Sequence, residues 1–281
     1  MKDTDGKMMQ KIDRTALIGE RVQLGKNVRV KAGCIIEDDV TIQDDTYIDY
    51  HAVIRKGTQL GERSYIGAGC IIGEHSFDPN SESQNAEALS IGTDAVIRSG
   101  SVIYGHSVIG EHFQTGHHVT VREHTQIGDH VNVGTLSDIE GYCEIGDYVR
   151  MHSNVHIGQK SSIGDYVWIF PYVVLTNDPT PPSNVLKSVT LEPFAVISTC
   201  AILLPGVVVE KDSLVVAGAI VTKDVYTGEV VAGNPAKKIA DISSIKDKQT
   251  GQSVYPWRYT FKRGMPWEYS DFQTFLDMQQ K

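Results

Sequence analysis

An aliphatic side chain returns every six residues along most of this chain, and that period leaves little freedom in how it can fold. The series starts at Ile18 and runs in phase through Ile36 and Ile54 to Ile72. It resumes at Ile91, holds phase to Leu175, and returns a third time from Leu191 to Val221. The three blocks contain 10, 15 and 6 hexads, and 29 of the 31 lead positions are Ile, Leu or Val. Neither a helical period of 3.6 nor simple strand alternation fits this spacing, whereas a short strand plus a turn in every six residues does. The fifth position of the hexad is small or β-branched, as at Val22, Val28, Cys34 and Val40, and the second is often glycine, as at Gly19, Gly25, Gly61 and Gly67. Repetition at a fixed period marks a solenoid, in which each unit is covered by its neighbours.

The pattern aliphatic-Gly-x-x-small-x resembles the hexapeptide repeat of left-handed parallel β-helices. The resemblance implies an all-β solenoid with three hexads in each 18-residue triangular coil. The lead and fifth residues would point inward, and the other four would face outward or form corners. At roughly 4.8 Å per coil, about ten coils would make a prism about 50 Å long. The left hand comes from the resemblance, since parallel crossovers are otherwise almost always right-handed.

The blocks divide the chain into an N-terminal segment (1–17), the solenoid (18–227) and a tail (228–281). Polar or Pro-rich stretches at 78–90 and 179–190 break the phase and are expected as loops extruded from corners. The tail holds two of the three tryptophans, Trp257 and Trp267. Its segment WEYSDFQTFLDMQQ is expected as an amphipathic helix capping the solenoid, with Trp267, Phe272, Phe275 and Leu276 on the apolar side.

Composition narrows the partners. Lys and Arg total 26 against 35 Asp and Glu, a formal net charge of −9, opposite in sign to the usual nucleic-acid binder. No apolar stretch follows the N-terminal charges, and no run approaches the roughly 20 apolar residues of a membrane span. The four cysteines show no paired spacing. A reduced, cytoplasmic protein with neither membrane nor nucleic acid as partner is expected.

The register also separates chemistry from scaffold. Cys34, Cys70 and Cys143 take the inward fifth position, where a small hydrophobe is wanted. Of the ten histidines, seven (51, 75, 106, 112, 118, 124 and 130) take the fourth position, which elsewhere holds Gly and Asp suited to unusual backbone angles. His117, His152 and His156 do not fit that explanation and are the better functional candidates. The lead position fails only at Thr115 and Met151, and a column of second positions through Gly116, Gly134 and His152 would leave room for a ligand. A column of third positions, Gly141, Gln159 and Asn177, forms a polar ladder that ends at Asn177 and Asp178 beside the Pro-rich loop.

Further segments narrow the resemblance. Residues 231–237 (VAGNPAK) look like the segment that follows the last coil in many hexapeptide acyltransferases, near the end of the coenzyme A groove. FQTGHHVTVRE (113–123), LSDIEGYCEIG (136–146), MHSNVHIGQ (151–159) and VVLTNDPTPPSN (173–184) resemble N-acetyltransferases acting on nucleotide-linked amino sugars. The nearest branch acetylates dTDP-3-amino-3,6-dideoxyhexoses for surface polysaccharides. That resemblance implies a homotrimer in which acetyl-CoA and the sugar nucleotide meet between subunits, with no metal. His152, Asn177 and Asp178 would serve catalysis, Asn154 and Gln159 would contact the acceptor, and Asn234 and Lys237 would serve CoA. The register adds His117 and Arg122 as contacts to sugar or pyrophosphate. A sister branch on UDP-4-amino sugars carries a catalytic His-Glu pair in an IEHEC-like segment. Ile139-Glu140-Gly141-Tyr142-Cys143 stands there in this chain, so Gly141 replaces that histidine and direct attack by the amine is favoured. The alternatives are acetylation of another small acceptor at O or N, a non-catalytic scaffold, or a zinc carbonic anhydrase using His112 and His117.

Overall fold

The computed structural model describes residues 11–76 and 88–279. Among them, strands mostly two residues long recur at every hexad. They stack into three sheets of 13, 11 and 10 strands. The first sheet contains Lys11–Ile12 and Arg150–Met151, the second Leu17–Ile18 and His156–Ile157, and the third Gln23–Leu24 and Glu144–Ile145. Pairing within the uninterrupted coils is parallel and offset by one coil, so Lys11 lies beside Arg29 and Asp138 beside His156. The result is a parallel β-solenoid, and each position of the hexad has a physical reason.

Lead and fifth residues fill one continuous core, from Val28 to Val231. Where the fifth residue is Ser or Thr, its hydroxyl ties adjacent coils: Ser137 Oγ donates to the His152 carbonyl at 3.0 Å and accepts from the Val155 amide at 3.2 Å. Second-position glycines sit so close to the next coil that a Cβ has no room; at Gly134 it would strike the His152–Ser153 peptide. Gly116 and Gly134 therefore serve coil stacking and do not clear a path for a ligand. The two broken lead positions are also scaffold. Thr115 and Met151 are buried, and the Thr115 hydroxyl accepts from the Arg98 amide at 2.9 Å.

Fourth positions turn the corners in the left-handed region of backbone space. His51, His106, His112, His118, His124 and His130 all have φ between 53° and 58°. Non-glycine residues rarely adopt such angles, and side-chain stacking along the corners helps offset the cost. His112, His130, Tyr148, Tyr166 and Phe194 form one ladder with ring centroids 4.3 to 5.4 Å apart. His75 departs from the rule, since it follows the longer strand Ile71–Glu74, where the hexads are interrupted.

The solenoid extends beyond both boundaries read from the sequence. Lys11–Ile12 already pairs with Arg29–Val30. At the other end Glu229–Gly233 pairs in parallel with Leu214–Val215, then turns back as Ala236–Asp241. About twelve turns replace the ten implied by the hexad count, the first sheet having 13 strands of which the last runs antiparallel. Of the first interruption, 78–87 lie outside the described residues; the second carries no strand between Val174–Leu175 and Thr190–Leu191.

The tail does not close the end of the prism. It folds back on the outer wall of the first sheet, where Trp257, Met265, Trp267 and Phe272 pack against Tyr166, Trp168, Phe194 and Leu214. Its helix is only Phe272–Gln279, because Asp271 caps it by accepting from the Thr274 amide at 2.9 Å. Trp267 is thus buried ahead of the helix and is not part of its apolar stripe.

Candidate functional site

The outer wall of the second sheet carries a polar cluster across adjacent coils. Outward positions 18 residues apart lie beside one another in the sheet, which places Asp138 next to His156. The His156 imidazole Nδ1 is 3.2 Å from Asp138 Oδ2. That hydrogen bond, with Glu140 close by, raises the imidazole above its ordinary value of 6.5 against the opposing effect of burial. With Nδ1–H held by the carboxylate, a neutral His156 keeps Nε2 free to accept a proton.

Two residues after Asp138, just past the end of its strand, Glu140 collects the polar ladder. Its Oε2 accepts from the Gln159 amide at 2.8 Å and from Asn177 Nδ2 at 2.9 Å. Asn177 therefore presents its side-chain Oδ1 as an unused acceptor. A side chain at Gly141 is excluded, since its Cβ would stand 2.7 Å from the Glu123 carbonyl. One coil below, Arg122 forks onto Glu123 at 2.8 and 2.9 Å and lies 5.2 Å from the Tyr104 ring. Burial opposes the charged form of Glu123, yet Arg122 holds its carboxyl below the ordinary range.

The other sequence candidates fall in different places. His152 stacks on Phe170 at 4.7 Å, around the corner from His156, and burial lowers its imidazole below 6.5. Asn154 is a corner residue with φ 59°. His117 has an exposed side chain, and its amide donates to Thr135 Oγ1 at 3.2 Å. Asp178 belongs to the Pro-rich loop: it accepts from the Thr180 amide at 3.0 Å, the Ser183 amide at 2.8 Å and the Ser183 hydroxyl at 2.6 Å. The Ser183 hydroxyl is the main reason its carboxyl sits below the ordinary range.

Asn234 sits in the turn of the terminal hairpin and Lys237 is exposed on its return strand. Lys238 is committed to Glu229 and Asp241 at 3.4 and 2.7 Å. An open groove of about 390 Å³ on the last coils is lined by Pro205, Gly206, Thr222 and Lys223 among others.

The structure thus brings Gln159 and Asn177 together through Glu140, with Arg122 near Asp138 and His156. It leaves Asn234 and Lys237 at the far end. Asp138, Glu140 and Glu123 had not been singled out, although the 18-residue period pairs Asp138 with His156 directly. Among the described residues no three His, Cys, Asp or Glu side chains converge to hold a metal ion. No helix of the described residues is long and apolar enough to cross a membrane.

The sequence matches the bacterial transferase hexapeptide model (six repeats) over residues 39–74 and the hexapeptide repeat of succinyl-transferase over 16–50. A 74-residue stretch is 46% identical to the 2,3,4,5-tetrahydropyridine-2,6-dicarboxylate N-acetyltransferase of Staphylococcus aureus strain JH9, covering 26% of this chain and 30% of that protein. The chain therefore matches less than a third of the length of that curated relative. UDP-N-acetylglucosamine O-acyltransferase from Moraxella catarrhalis shares the fold, at TM-score 0.50 and 16% identity over 96% of this chain and 91% of that one. PerB from Caulobacter crescentus, solved with CoA and GDP-perosamine, aligns at TM-score 0.22 and 14% identity over 83% and 58% of the two chains.

Proposed function

The chain carries the hexapeptide repeat of the bacterial transferases, and from that premise we propose an acetyl-CoA-dependent N-acetyltransferase whose acceptor is a nucleotide-linked 3-amino-dideoxyhexose of the dTDP type. The observation that carries this reading is the wall of the second sheet, where an imidazole oriented by Asp138 stands beside the Glu140–Asn177–Gln159 ladder. Acyl transfer needs a neutral amine, a held thioester carbonyl and a departing thiolate. His156 Nε2 takes a proton as the amine nitrogen bonds to the carbonyl carbon. The carbon–sulfur bond then breaks, and the imidazolium returns the proton to the thiolate. The side-chain Oδ1 of Asn177 accepts from the amine or a neighbouring hydroxyl and orients the sugar. Gly141 leaves no histidine on the third-position ladder, and His156 supplies the imidazole from the next coil.

The cofactor belongs at the terminal hairpin. Lys237→Ala is expected to raise the KM for acetyl-CoA several-fold with little change in kcat, because a phosphate contact made equally in ground and transition states acts on binding alone. An unchanged KM removes that assignment. Asn177→Ala is expected to weaken sugar-nucleotide binding about tenfold, since it removes one acceptor and releases the Glu140 carboxylate; calorimetric titration reads it, and wild-type affinity would place the acceptor elsewhere.

The working form is a homotrimer in the cytoplasm, for which light scattering should give three times 30.9 kDa. The reaction itself is tested by thiol release from acetyl-CoA with a panel of dTDP- and UDP-linked 3- and 4-amino sugars. Release dependent on a dTDP-3-amino sugar establishes it. CoA binding without release on any of them overturns the acceptor, and no CoA binding overturns the activity.

A further inference from the structure

The tail and the first sheet line a small, open aromatic pocket that none of the residues assigned above occupies. Trp168, Phe170 and Val196 line it from the solenoid, and Tyr255, Trp257 and Phe261 line it from the tail. Its rings stand at steep angles to one another: Trp168 meets Trp257 at 79° and Phe261 at 85°, with centroids 6.0 and 5.3 Å apart. The volume is about 190 Å³, below the roughly 300 Å³ where pockets for larger ligands begin. It has room for one flat ring and not for a whole nucleotide.

Two features show that this space is more than a packing defect. Buried indole N–H groups normally find an acceptor, and two of the three here do: Trp257 Nε1 donates to the Phe194 carbonyl at 3.1 Å and Trp267 Nε1 to the Phe261 carbonyl at 3.0 Å. Trp168 Nε1 is enclosed and has no partner. Two arginines lie beside its lining rings. The Arg150 guanidinium lies 5.8 Å from the Trp168 ring and holds the Gly264 carbonyl at 2.8 Å, while its own Nε is buried without a partner. Arg263 lies 5.9 Å from the Phe261 ring; burial disfavours the Arg150 charge, Arg263 adds to that effect, and the Glu268 carboxylate opposes it. Two guanidiniums near one carboxylate leave a net positive charge that favours a further anion beside them.

We infer that this pocket receives the pyrimidine base of the acceptor nucleotide, a base carbonyl taking the Trp168 N–H and the diphosphate lying toward Arg150 and Arg263. The inference rests on the nucleotide-sugar reading above and assigns it a base subsite. The geometry connects the two. Phe170, on the pocket wall, stacks on His152, and His156 follows His152 by four positions, a reach of at most about 14 Å. A nucleotide sugar with its base in the pocket can lay its diphosphate along the corner and present its sugar to the second-sheet wall.

Calorimetric titration of the full-length protein with dTDP, with inorganic pyrophosphate and with CoA tests this. Trp168→Phe keeps a ring and deletes the N–H. It should weaken dTDP about tenfold and leave pyrophosphate and CoA unaffected. Phe261→Leu, on the tail side, should weaken dTDP similarly and carries the test if the first variant fails to fold. Equal dTDP affinity in wild type and the folded variants overturns the base subsite while leaving the nucleotide-sugar reading intact. A wild-type protein that binds CoA but not dTDP overturns that reading, and the subsite with it.

Discussion

Replacing His156 with Asn lowers kcat for acetyl transfer by about 10²–10⁴-fold, the range a positioned proton acceptor contributes, and leaves the KM for acetyl-CoA near its wild-type value. The pH profile separates proton abstraction from a merely structural loss. Asp138 holds the His156 imidazole above its ordinary value of 6.5, so the protonated, inactive form persists to higher pH. In the wild type kcat/KM therefore rises with pH through a value above 6.5 and then levels off. In Asp138→Asn the hydrogen bond that favours the cation is gone, and the acid limb moves to lower pH. The plateau falls as well, because an amide no longer selects the tautomer that leaves Nε2 free. Asp138 is thus a positioning residue. An unchanged kcat in His156→Asn, or an acid limb that does not move in Asp138→Asn, would return the chemistry to unassisted attack by the amine.

The second large effect is on stability. Trp267→Ala should cost about 3–5 kcal/mol, the usual range for emptying a buried aromatic site. Trp267 is fully buried and touches Tyr166, Trp257, Phe272 and Phe275 with ring centroids 4.8 to 6.1 Å apart. Its N–H holds the Phe261 carbonyl at 3.0 Å. The loss is local because the solenoid core is a separate cluster from the tail cluster. Calorimetry should show an early transition for tail release ahead of the main one, with proteolysis between 241 and 257 accelerated. A single transition at the wild-type Tm would mean that the tail does not depend on this anchor.

The fold was legible because the hexad is dictated by physics at nearly every position. An inward lead, a glycine under the next coil and a left-handed corner leave a trace in residue type, and the six corner histidines were separable from candidate ligands for that reason. The site was only partly legible. Gln159 and Asn177 could be grouped because both stand at third positions of hexads in one column. Their common partner, Glu140, stands at a second position, and its role emerges only from side-chain geometry. His156 was set apart by its register, yet Asp138, one coil below, was not paired with it. The exceptions at Thr115 and Met151 pointed toward function when their cause was packing: a threonine can be satisfied by a neighbouring amide and a methionine can fill an uneven core. The tail was least legible. It has no period, and nothing in its own sequence names the wall of the first sheet as its docking surface.

That docking surface sets the length of the molecule. A repeat of identical rungs can gain or lose a unit without changing any rung, so duplication of 18 residues is topologically neutral for the rod itself. The tail removes that freedom near its own end. It is tied to Arg150, Phe194 and Asp212 through Gly264, Trp257 and Arg258, and its other end leaves the hairpin at Asp241. A rung inserted between 215 and 229 would move the hairpin about 4.8 Å along the axis and stretch the connection to Tyr255. One inserted before 91 would leave every tail contact intact. Changes of length near the terminal hairpin thus disturb the tail while those on the N-terminal side do not, and the tail favours a fixed number of rungs between the hairpin and the polar wall of the second sheet.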